Sequence, residues 1–307
     1  MKQKRHARTG EFYHKHSLGQ NFIEDEALLE QLAGLSLVTP EDNVLEIGPG
    51  FGALTRPLAA RCKRIISLEI DETLLPILRV TLEKCPNAEV VQGDVMKIDL
   101  AALVREKLGD GSLRVAANLP YYITTDVLTK LLMELPQARS IAVMIQKEVG
   151  DKLLSQPGED GYGPLAILCQ YKCDVRRALD VPAACFTPPP KVDSSFMILE
   201  RRETPLCAVA DEALFMKLIR GAFAMRRKTL VNNLMASFSL SREESSSCID
   251  RAGLPAQVRA EALSIEELAH LCNEISGLQA STDRIWKKWI ISCQIAGNRG
   301  EMSKSLN

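Results

Sequence analysis

The chain has 307 residues, which is enough for one large domain or for a domain with a smaller appendage. Its 46% hydrophobic and 25% charged residues are typical of a globular protein and exclude a chain that is disordered by composition. The net charge is only −1, no apolar run approaches the roughly 18 residues that span a bilayer, and the basic start lacks a signal peptide's apolar core. We therefore expect a cytoplasmic monomer with no membrane association.

Strands and helices alternate in the first half of the chain. The stretch 43–55 begins with a predicted strand, and further predicted strands are 64–71, 88–94, 114–120 and 140–146. Predicted helices cover 53–60, 72–84, 100–108 and 125–135. The strands are nearly continuous apolar runs, as expected for a parallel sheet that is buried on both faces. The pattern predicts an α/β, Rossmann-like domain with a mainly parallel sheet and helices on both faces.

The second half of the chain has a different pattern. Residues 163–181 and 191–202 are predicted to form later, antiparallel strands, and from about Asp211 the pattern is helical. Ser264 and Glu267 have the spacing of a capping box at a helix start. We predict four parts: a basic arm (1–16), an α/β domain (17–204), a smaller all-α domain (205–279) and an atypical, poorly ordered tail (280–307).

A glycine-rich turn follows the first predicted strand of the sheet. Gly48, Gly50 and Gly52 have G-x-G-x-G spacing, which suits a sharp turn or the close approach of a ligand to the backbone. Glu69 ends the second strand and is placed to accept the hydroxyls of a ribose. Asp94 follows the third strand and is placed to accept an adenine amine. Each acidic residue alone is more often an ordinary turn residue at a strand end, but the three features follow three successive strands.

The spacing of the glycines and the preceding Glu46 favour one class of cofactor. Dinucleotide-binding turns usually have G-x-G-x-x-G spacing, with the diphosphate against the helix. A carboxylate beside the ligand suits a cation better than a diphosphate. We therefore predict S-adenosylmethionine, which carries a sulfonium and an ammonium, and a methyltransferase rather than a dehydrogenase.

The stretch Asn118–Leu119–Pro120–Tyr121 ends the fourth strand, beside the predicted cofactor site. The Asn118 amide oxygen and the Leu119 carbonyl are suited to accept the two hydrogens of an exocyclic amine such as adenine N6. Pro120 stiffens the turn, and Tyr121 offers a ring on which a base stacks. The alternative is a strand-to-loop turn with tyrosines in the core.

Eight ordered stretches together resemble the ribosomal RNA adenine N6,N6-dimethyltransferases, and among them the small-subunit type. They are SLGQNFI (17–23), EIGPGFGALT (46–55), LEID (68–71), QGDVMK (92–97), NLPYYIT (118–124), QKEVGDKL (146–153), YGPLAILCQY (162–171) and FTPPPKVDSSF (186–196). The resemblance extends over roughly residues 15–278. It implies a class I methyltransferase domain and dimethylation of two adjacent adenosines near the 3′ end of 16S rRNA, within the 30S subunit or its precursor.

The same resemblance implies roles for individual residues. Asn21 and Ile23 should contact the cofactor together with the residues named above, and Asn118 through Tyr121 should hold the target adenine. Phe186 should close on the base from the opposite face. Its alternative role is that of a core aromatic before a proline-stiffened loop.

Basic residues are concentrated in two segments despite the nearly neutral total. The arm carries a charge of +4, and the stretch 213–235 has cations and no acid. Those cations are Lys217, Arg220, Arg226, Arg227 and Lys228. With an RNA substrate we expect them to contact phosphates, although a solvated helix face is the alternative.

Other functions fit parts of the pattern. A 23S rRNA adenine methylase of the macrolide-resistance type shares the fold and the Asn-x-Pro-Tyr logic, and an assembly-checkpoint factor would need binding more than catalysis. A DNA adenine methylase typically has Asp in place of Asn118. The nine cysteines include no CxxC pair, so we predict no metal site.

Overall fold

The computed structural model describes residues 21–278, so the predicted basic arm 1–16 and the predicted tail 280–307 lie outside the described residues. Within them the chain forms two compact units. The first comprises residues up to 154 and 173–201, and the second comprises 155–172 and the residues from 202 onwards. The predicted boundary at 204/205 thus lies close to the structural division. The segment 155–172, which we assigned to the α/β domain, packs instead with the helical unit.

The first unit is built on nine strands within the described residues, of which the central ones are largely buried. In chain order they are β1 (Phe22–Ile23), β2 (Asn43–Ile47), β3 (Arg64–Glu69), β4 (Ala88–Gln92), β5 (Leu113–Asn118), β6 (Ala138–Gln146), β7 (Cys173–Val181), β8 (Phe186–Thr187) and β9 (Ser194–Arg201). Within residues 21–278 seven of them form one sheet in the order β4-β3-β2-β5-β6-β9-β7, and β1 pairs with β8 in a separate antiparallel ribbon. Strands β2 to β6 are parallel, and β9 runs antiparallel between β6 and β7. This is the Rossmann-like arrangement that we predicted.

Helices of the first unit connect these strands. They are α1 (Glu26–Leu35), α2 (Thr55–Ala59), α3 (Leu75–Thr81), α4 (Leu100–Leu108), α5 (Thr124–Glu134) and α6 (Lys147–Leu154). Asp25 and Asp99 begin α1 and α4 by accepting backbone N–H groups of the first turn. The predicted helix 53–60 forms only as the five-residue α2.

Helices dominate the second unit. They are α7 (Pro164–Lys172), α8 (Glu212–Ala222), α9 (Leu230–Phe238), α10 (Arg242–Arg251) and α11, which covers residues 265–278. Tyr171, Phe215 and Leu268 belong to their shared core. Ser264 and Glu267 form the predicted capping box, with hydrogen bonds of 2.8 and 3.1 Å.

One prediction in this region is wrong. Residues 164–172 form a helix and not a strand, because their apolar side chains are buried around most of a helix surface and not on alternate positions. Residues 214–235, within the region that we predicted to be helical from about Asp211, form two helices with a break between Ala222 and Leu230. Over residues 21–278 we find no helix with the length and apolar character that a bilayer crossing requires.

Candidate active site

The order of the parallel strands reverses between β2 and β5. Strands β3 and β4 lie on one side of β2, whereas β5 and β6 lie on the other. Such a reversal opens a crevice at the carboxyl ends of the two central strands. Gly48 follows β2 and Asn118 ends β5, and a Cβ built on Gly48 would lie 3.7 Å from the Asn118 carbonyl oxygen.

A cavity of about 260 Å³ occupies this crevice. Ten of the residues predicted from the sequence line it, and they come from separate segments of the chain. They are Asn21, Ile23, Gly48, Gly50, Glu69, Asp94, Asn118, Leu119, Pro120 and Tyr121. The fold therefore brings together all the predicted cofactor residues and the whole Asn-Leu-Pro-Tyr stretch.

Backbone conformation explains the glycines of the turn. Gly48, Gly50 and Gly52 have φ values of 72°, 59° and 78°, in the left-handed region that favours glycine. A Cβ on Gly50 would lie 2.7 Å from a ring carbon of Phe22, which is too close for any real contact. The turn therefore borders the cavity with main-chain atoms. The helix that follows the turn, α2, has only five residues.

Glu69 is held at the end of β3 by two backbone N–H groups. Its Oε1 accepts from Asp71 at 2.8 Å and its Oε2 accepts from Gly50 at 3.3 Å. Each carboxylate oxygen keeps a further lone pair, so hydroxyl donors can still be accepted. Burial raises the pKa of the Glu69 carboxyl, and these two N–H groups offset part of that rise.

Glu46 lines the same cavity but is almost completely buried. Its Oε2 accepts hydrogen bonds from the hydroxyls of Thr55 at 2.6 Å and Ser67 at 2.7 Å. Burial raises the pKa of the Glu46 carboxyl to about 7, against the lowering by these two hydroxyls, and the nearby Glu69 adds to the rise. A positive charge in the cavity would favour the ionised form.

Asp94 fits both of its predicted roles. Its Oδ1 accepts the Met96 N–H at 2.9 Å, which is the hydrogen bond of an ordinary Asx turn. Its Oδ2 lies 3.5 Å from Nζ of Lys97, and the residue lines the cavity. The turn therefore fixes the carboxylate and leaves acceptor capacity towards the cavity.

The Asn-Leu-Pro-Tyr stretch is fixed from several sides. The Asn118 side-chain NH₂ donates to the Asn21 carbonyl at 3.1 Å, which leaves the amide oxygen as the group suited to an incoming amine. The Leu119 N–H donates to the Met144 carbonyl at 3.2 Å, and the Pro120 carbonyl accepts from Ile123 and Thr124. The two tyrosines do not lie in the core, as the alternative interpretation required, because Tyr121 is half-buried and Tyr122 is 61% exposed.

Phe186 does not lie where we expected it. It is 3% exposed, pairs with Ile23 in the β1–β8 ribbon and packs in the core of the first unit. The cavity lining among the described residues does not include it. In this structure Phe186 thus occupies its alternative position as a core aromatic, because strand pairing turns the ring inwards.

Sequence reasoning missed several residues that line the cavity. Phe22 contacts the glycine turn and packs on Phe51 with ring centroids 4.3 Å apart. Ile70, Met96 and Tyr122 are large apolar side chains that are at least 40% exposed and line the cavity. The sequence offered a way to find Ile70 and Met96, because each follows closely after an acidic residue that we predicted at the end of a strand.

The charges of the lining distinguish between cofactor classes. Among the described residues that line the cavity, three are acidic (Glu46, Glu69 and Asp94) and none is basic. A diphosphate would meet only negative side chains here, whereas a cationic ligand would be attracted. The lining therefore fits S-adenosylmethionine and not a dinucleotide.

In the second unit the five predicted RNA-binding cations are all exposed. Lys217 and Arg220 lie on α8, with Nζ of Lys217 4.7 Å from the Phe238 ring centroid. Arg226, Arg227 and Lys228 lie in the turn before α9, and Arg226 is 3.4 Å from an Asp160 carboxylate oxygen. We refer to Lys217–Lys228 as the basic segment.

Comparison with known proteins gives a consistent picture. The family model described as "Ribosomal RNA adenine dimethylase" matches residues 11–276. A "Ribosomal RNA small subunit methyltransferase A" of Bacillus cytotoxicus is 42% identical over 268 residues, which cover 86% of this chain and 92% of the relative.

Two solved structures are similar over most of the chain. A dimethyladenosine transferase from Plasmodium falciparum has a TM-score of 0.69 and 23% identity, covering 81% of this chain and 95% of its own, and at that identity it supports the fold alone. The 23S rRNA methyltransferase ErmE has a TM-score of 0.63 and 26% identity, covering 83% of this chain and all of its own.

Proposed function

This chain belongs to the ribosomal RNA adenine dimethylase family, and we propose that it dimethylates N6 of two adjacent adenosines near the 3′ end of 16S rRNA. It is an S-adenosylmethionine-dependent methyltransferase of small-subunit rRNA. One observation carries the assignment of the reaction to this site. Asn118 lies at the carboxyl end of β5 and lines one cavity with the glycine turn, Glu69 and Asp94.

We assign the cofactor to the acidic part of the cavity. The main chain of Gly48 and Gly50 forms one wall, Glu69 is placed for ribose hydroxyls, and Asp94 is placed for the adenine amine. Asn21 and Ile23 close the cavity from the β1 side. S-adenosylmethionine, when bound, supplies an electrophilic methyl group on a cationic sulfur. The buried Glu46 supports that positive charge when it is ionised.

We assign the target adenine to the Asn-Leu-Pro-Tyr stretch. The Asn118 amide oxygen and the Leu119 carbonyl accept the two hydrogens of the amine, which fixes the nitrogen with its lone pair directed at the methyl group. Alignment is their main contribution. Tyr121 provides a stacking face, worth about 1–3 kcal/mol, that offsets the roughly similar cost of splaying out a base.

A second methyl transfer to the same nitrogen imposes one further requirement. After the first transfer the amine keeps a single hydrogen, so one of the two acceptors loses its contact. Both acceptors belong to groups that are held by a hydrogen bond, Asn118 through its side-chain NH₂ to the Asn21 carbonyl and Leu119 through its N–H to the Met144 carbonyl.

The basic segment is our candidate for contact with rRNA phosphates. Its five cations are exposed. An exposed cation on a flexible side chain is attracted to the phosphates of a polyanion and needs no apolar pocket for this contact. We assign residues 205–279 as an RNA-binding domain on this basis. We further propose that the partner is the 30S subunit or its precursor and that the protein is a monomer. Its proposed location is the cytoplasm, where small-subunit rRNA is assembled.

The decisive experiment is methyl transfer from radiolabelled S-adenosylmethionine to 30S particles that lack these methyl groups. Mature 30S particles and naked 16S rRNA serve as comparisons, and sequencing locates the modified adenosines. We expect incorporation into the unmethylated particles, at two adjacent adenosines of 16S rRNA. Incorporation into 23S rRNA alone would instead support the macrolide-resistance type, and binding without incorporation would support the checkpoint factor.

A further inference from the structure

A hydrogen bond connects Tyr121 to a distant serine of the sheet. The hydroxyls of Tyr121 and Ser194 lie 2.8 Å apart, and either is able to donate. The two residues are 73 positions apart in the chain. Tyr121 is half-buried at the cavity, whereas Ser194 is completely buried at the start of β9.

The backbone of Ser194 is held from both sides. Strand β9 lies between β6 and β7, and Ser194 is paired with Gln146 on one side and Val181 on the other. Its hydroxyl is therefore a fixed point. The ring of Tyr121, by contrast, extends from a single-turn helix over residues 121–123, in which no residue is fully buried.

The residue before Ser194 connects the same point to the segment that carries Phe186. The Asp193 Oδ1 accepts the Ala183 N–H at 2.9 Å, and the Asp193 carbonyl accepts the Lys147 N–H at 3.0 Å. Ala183 begins the short turn that leads into Phe186. Asp193 and Ser194 thus fix two segments that the sequence resemblance assigns to base binding.

We propose that Ser194 is a positioning residue for methyl transfer, which sets the plane of the Tyr121 ring through the hydroxyl–hydroxyl hydrogen bond. This inference rests on the proposed function, since it gives Tyr121 a base to stack on. A ring that is free to rotate presents a stacking face only part of the time. Loss of the anchor therefore lowers the rate at which bound RNA reacts and leaves cofactor binding unchanged.

The neighbouring serine provides a matched control. Ser195 is equally buried, lies in the same strand and has one side-chain hydrogen bond of 2.6 Å, to Asp180. Ser194→Ala and Ser195→Ala each delete one buried hydroxyl. Only the first removes a contact to the cavity, so a general effect of disturbing β9 would be common to both variants.

Steady-state kinetics on unmethylated 30S particles test the proposal. We expect Ser194→Ala to lower kcat about tenfold, the equivalent of one hydrogen bond, with KM for S-adenosylmethionine unchanged and Ser195→Ala within twofold of the wild type. Tyr121→Phe should lower kcat equally, and the double variant should be no worse than either single one. The proposal would be overturned if the effects of Ser194→Ala and Tyr121→Phe on kcat multiplied in the double variant. It would also be overturned if the kcat of Ser194→Ala were within twofold of the wild type.

A second measurement does not depend on activity. Crystal structures of the two alanine variants should show the Tyr121 ring displaced or in several orientations in Ser194→Ala alone. An unchanged ring in that variant overturns the proposal even if the rate falls. A wild-type protein that methylates no rRNA would refute the proposed function, while the ring position would still decide whether Ser194 anchors Tyr121.

Discussion

In the sheet unit the carboxyl and amide side chains of the candidate site are buried or half-buried, and Glu69 and Asn118 form hydrogen bonds with other segments of the chain, whereas in the helical unit the cations of the basic segment lie exposed. The first arrangement recognises a ligand by shape and fixed polar groups in a low-dielectric cavity. The second acts through charge that is screened by salt and tolerates variation in position. Changes in the two units should therefore differ in size and in salt dependence.

The largest effect is expected from removing the amide at the end of β5. Asn118→Ala should lower kcat for methyl transfer by about 100- to 1,000-fold, the range for deleting one preorganised polar contact at a reacting group. Binding of the variant to 30S particles should remain, because the basic segment is intact. Asn87→Ala, which removes an amide that donates to Ala59 and Cys62 carbonyls, is the control and should retain the wild-type rate. A rate for Asn118→Ala within threefold of the wild type would contradict the assignment.

The buried carboxyl of Glu46 provides a test in pH. Its pKa is raised from 4.5 to about 7 in the folded protein, so the folded state binds the proton more tightly than the unfolded state. Its favourable contribution to stability is complete below pH 4.5 and is lost as the pH rises to about 7. Glu46→Gln should therefore be more stable than the wild type by about 3 kcal/mol at pH 8, and this advantage should shrink towards pH 5.

Urea unfolding at pH 5 and pH 8 measures this difference. Glu106→Gln, the same change at a carboxylate with 73% side-chain exposure on α4, is the control and should alter stability little at either pH. The gain in stability should come with weaker binding of S-adenosylmethionine, because the variant has lost a negative charge beside a cationic ligand. An equal stability of Glu46→Gln and wild type at pH 8 would show that the carboxyl is not costly when ionised.

A backbone test of the cavity is expected to have a smaller effect. Gly50→Ala places a Cβ against Phe22 in a left-handed backbone conformation, at a cost of about 1–3 kcal/mol. If about 2 kcal/mol of that cost weakens the binding of S-adenosylmethionine, its affinity, measured by calorimetry, should fall roughly thirtyfold. Gly34→Ala has no heavy atom within 4 Å of the new Cβ and should leave affinity unchanged. Equal affinities of the two variants would mean that the turn does not contact the cofactor.

The smallest effect is expected in the helical unit. The double variant Arg227→Ala/Lys228→Ala should bind 30S particles about tenfold more weakly at 0.1 M salt, and the slope of log K against log salt should fall by about 1.5. Lys84→Ala/Arg105→Ala removes two exposed cations of the sheet unit and is the matched control. A similar loss in both double variants would indicate a general charge effect and not a specific contribution of the basic segment.

Local patterns were sufficient to predict most of the sheet unit. Continuous apolar runs located β2 to β6, and the glycines and acidic residues that follow these strands were found where parallel strands must end together. That inference succeeds because the carboxyl ends of parallel strands share one edge. It failed for residues 164–172, since a short apolar run has no clear period when a helix is buried on most sides.

The sequence by itself determined the family, the Rossmann-like fold, the acidic glycine turn and the Asn-Leu-Pro-Tyr stretch, because each of these is encoded by residues close together in the chain. Only the tertiary structure decided that Phe186 is buried, that Phe22 lies against Gly50, and that Ser194 meets Tyr121. These facts depend on strand order and pairing between segments that are far apart in sequence. No local pattern specifies such contacts, since they exist only once the sheet has brought the segments together.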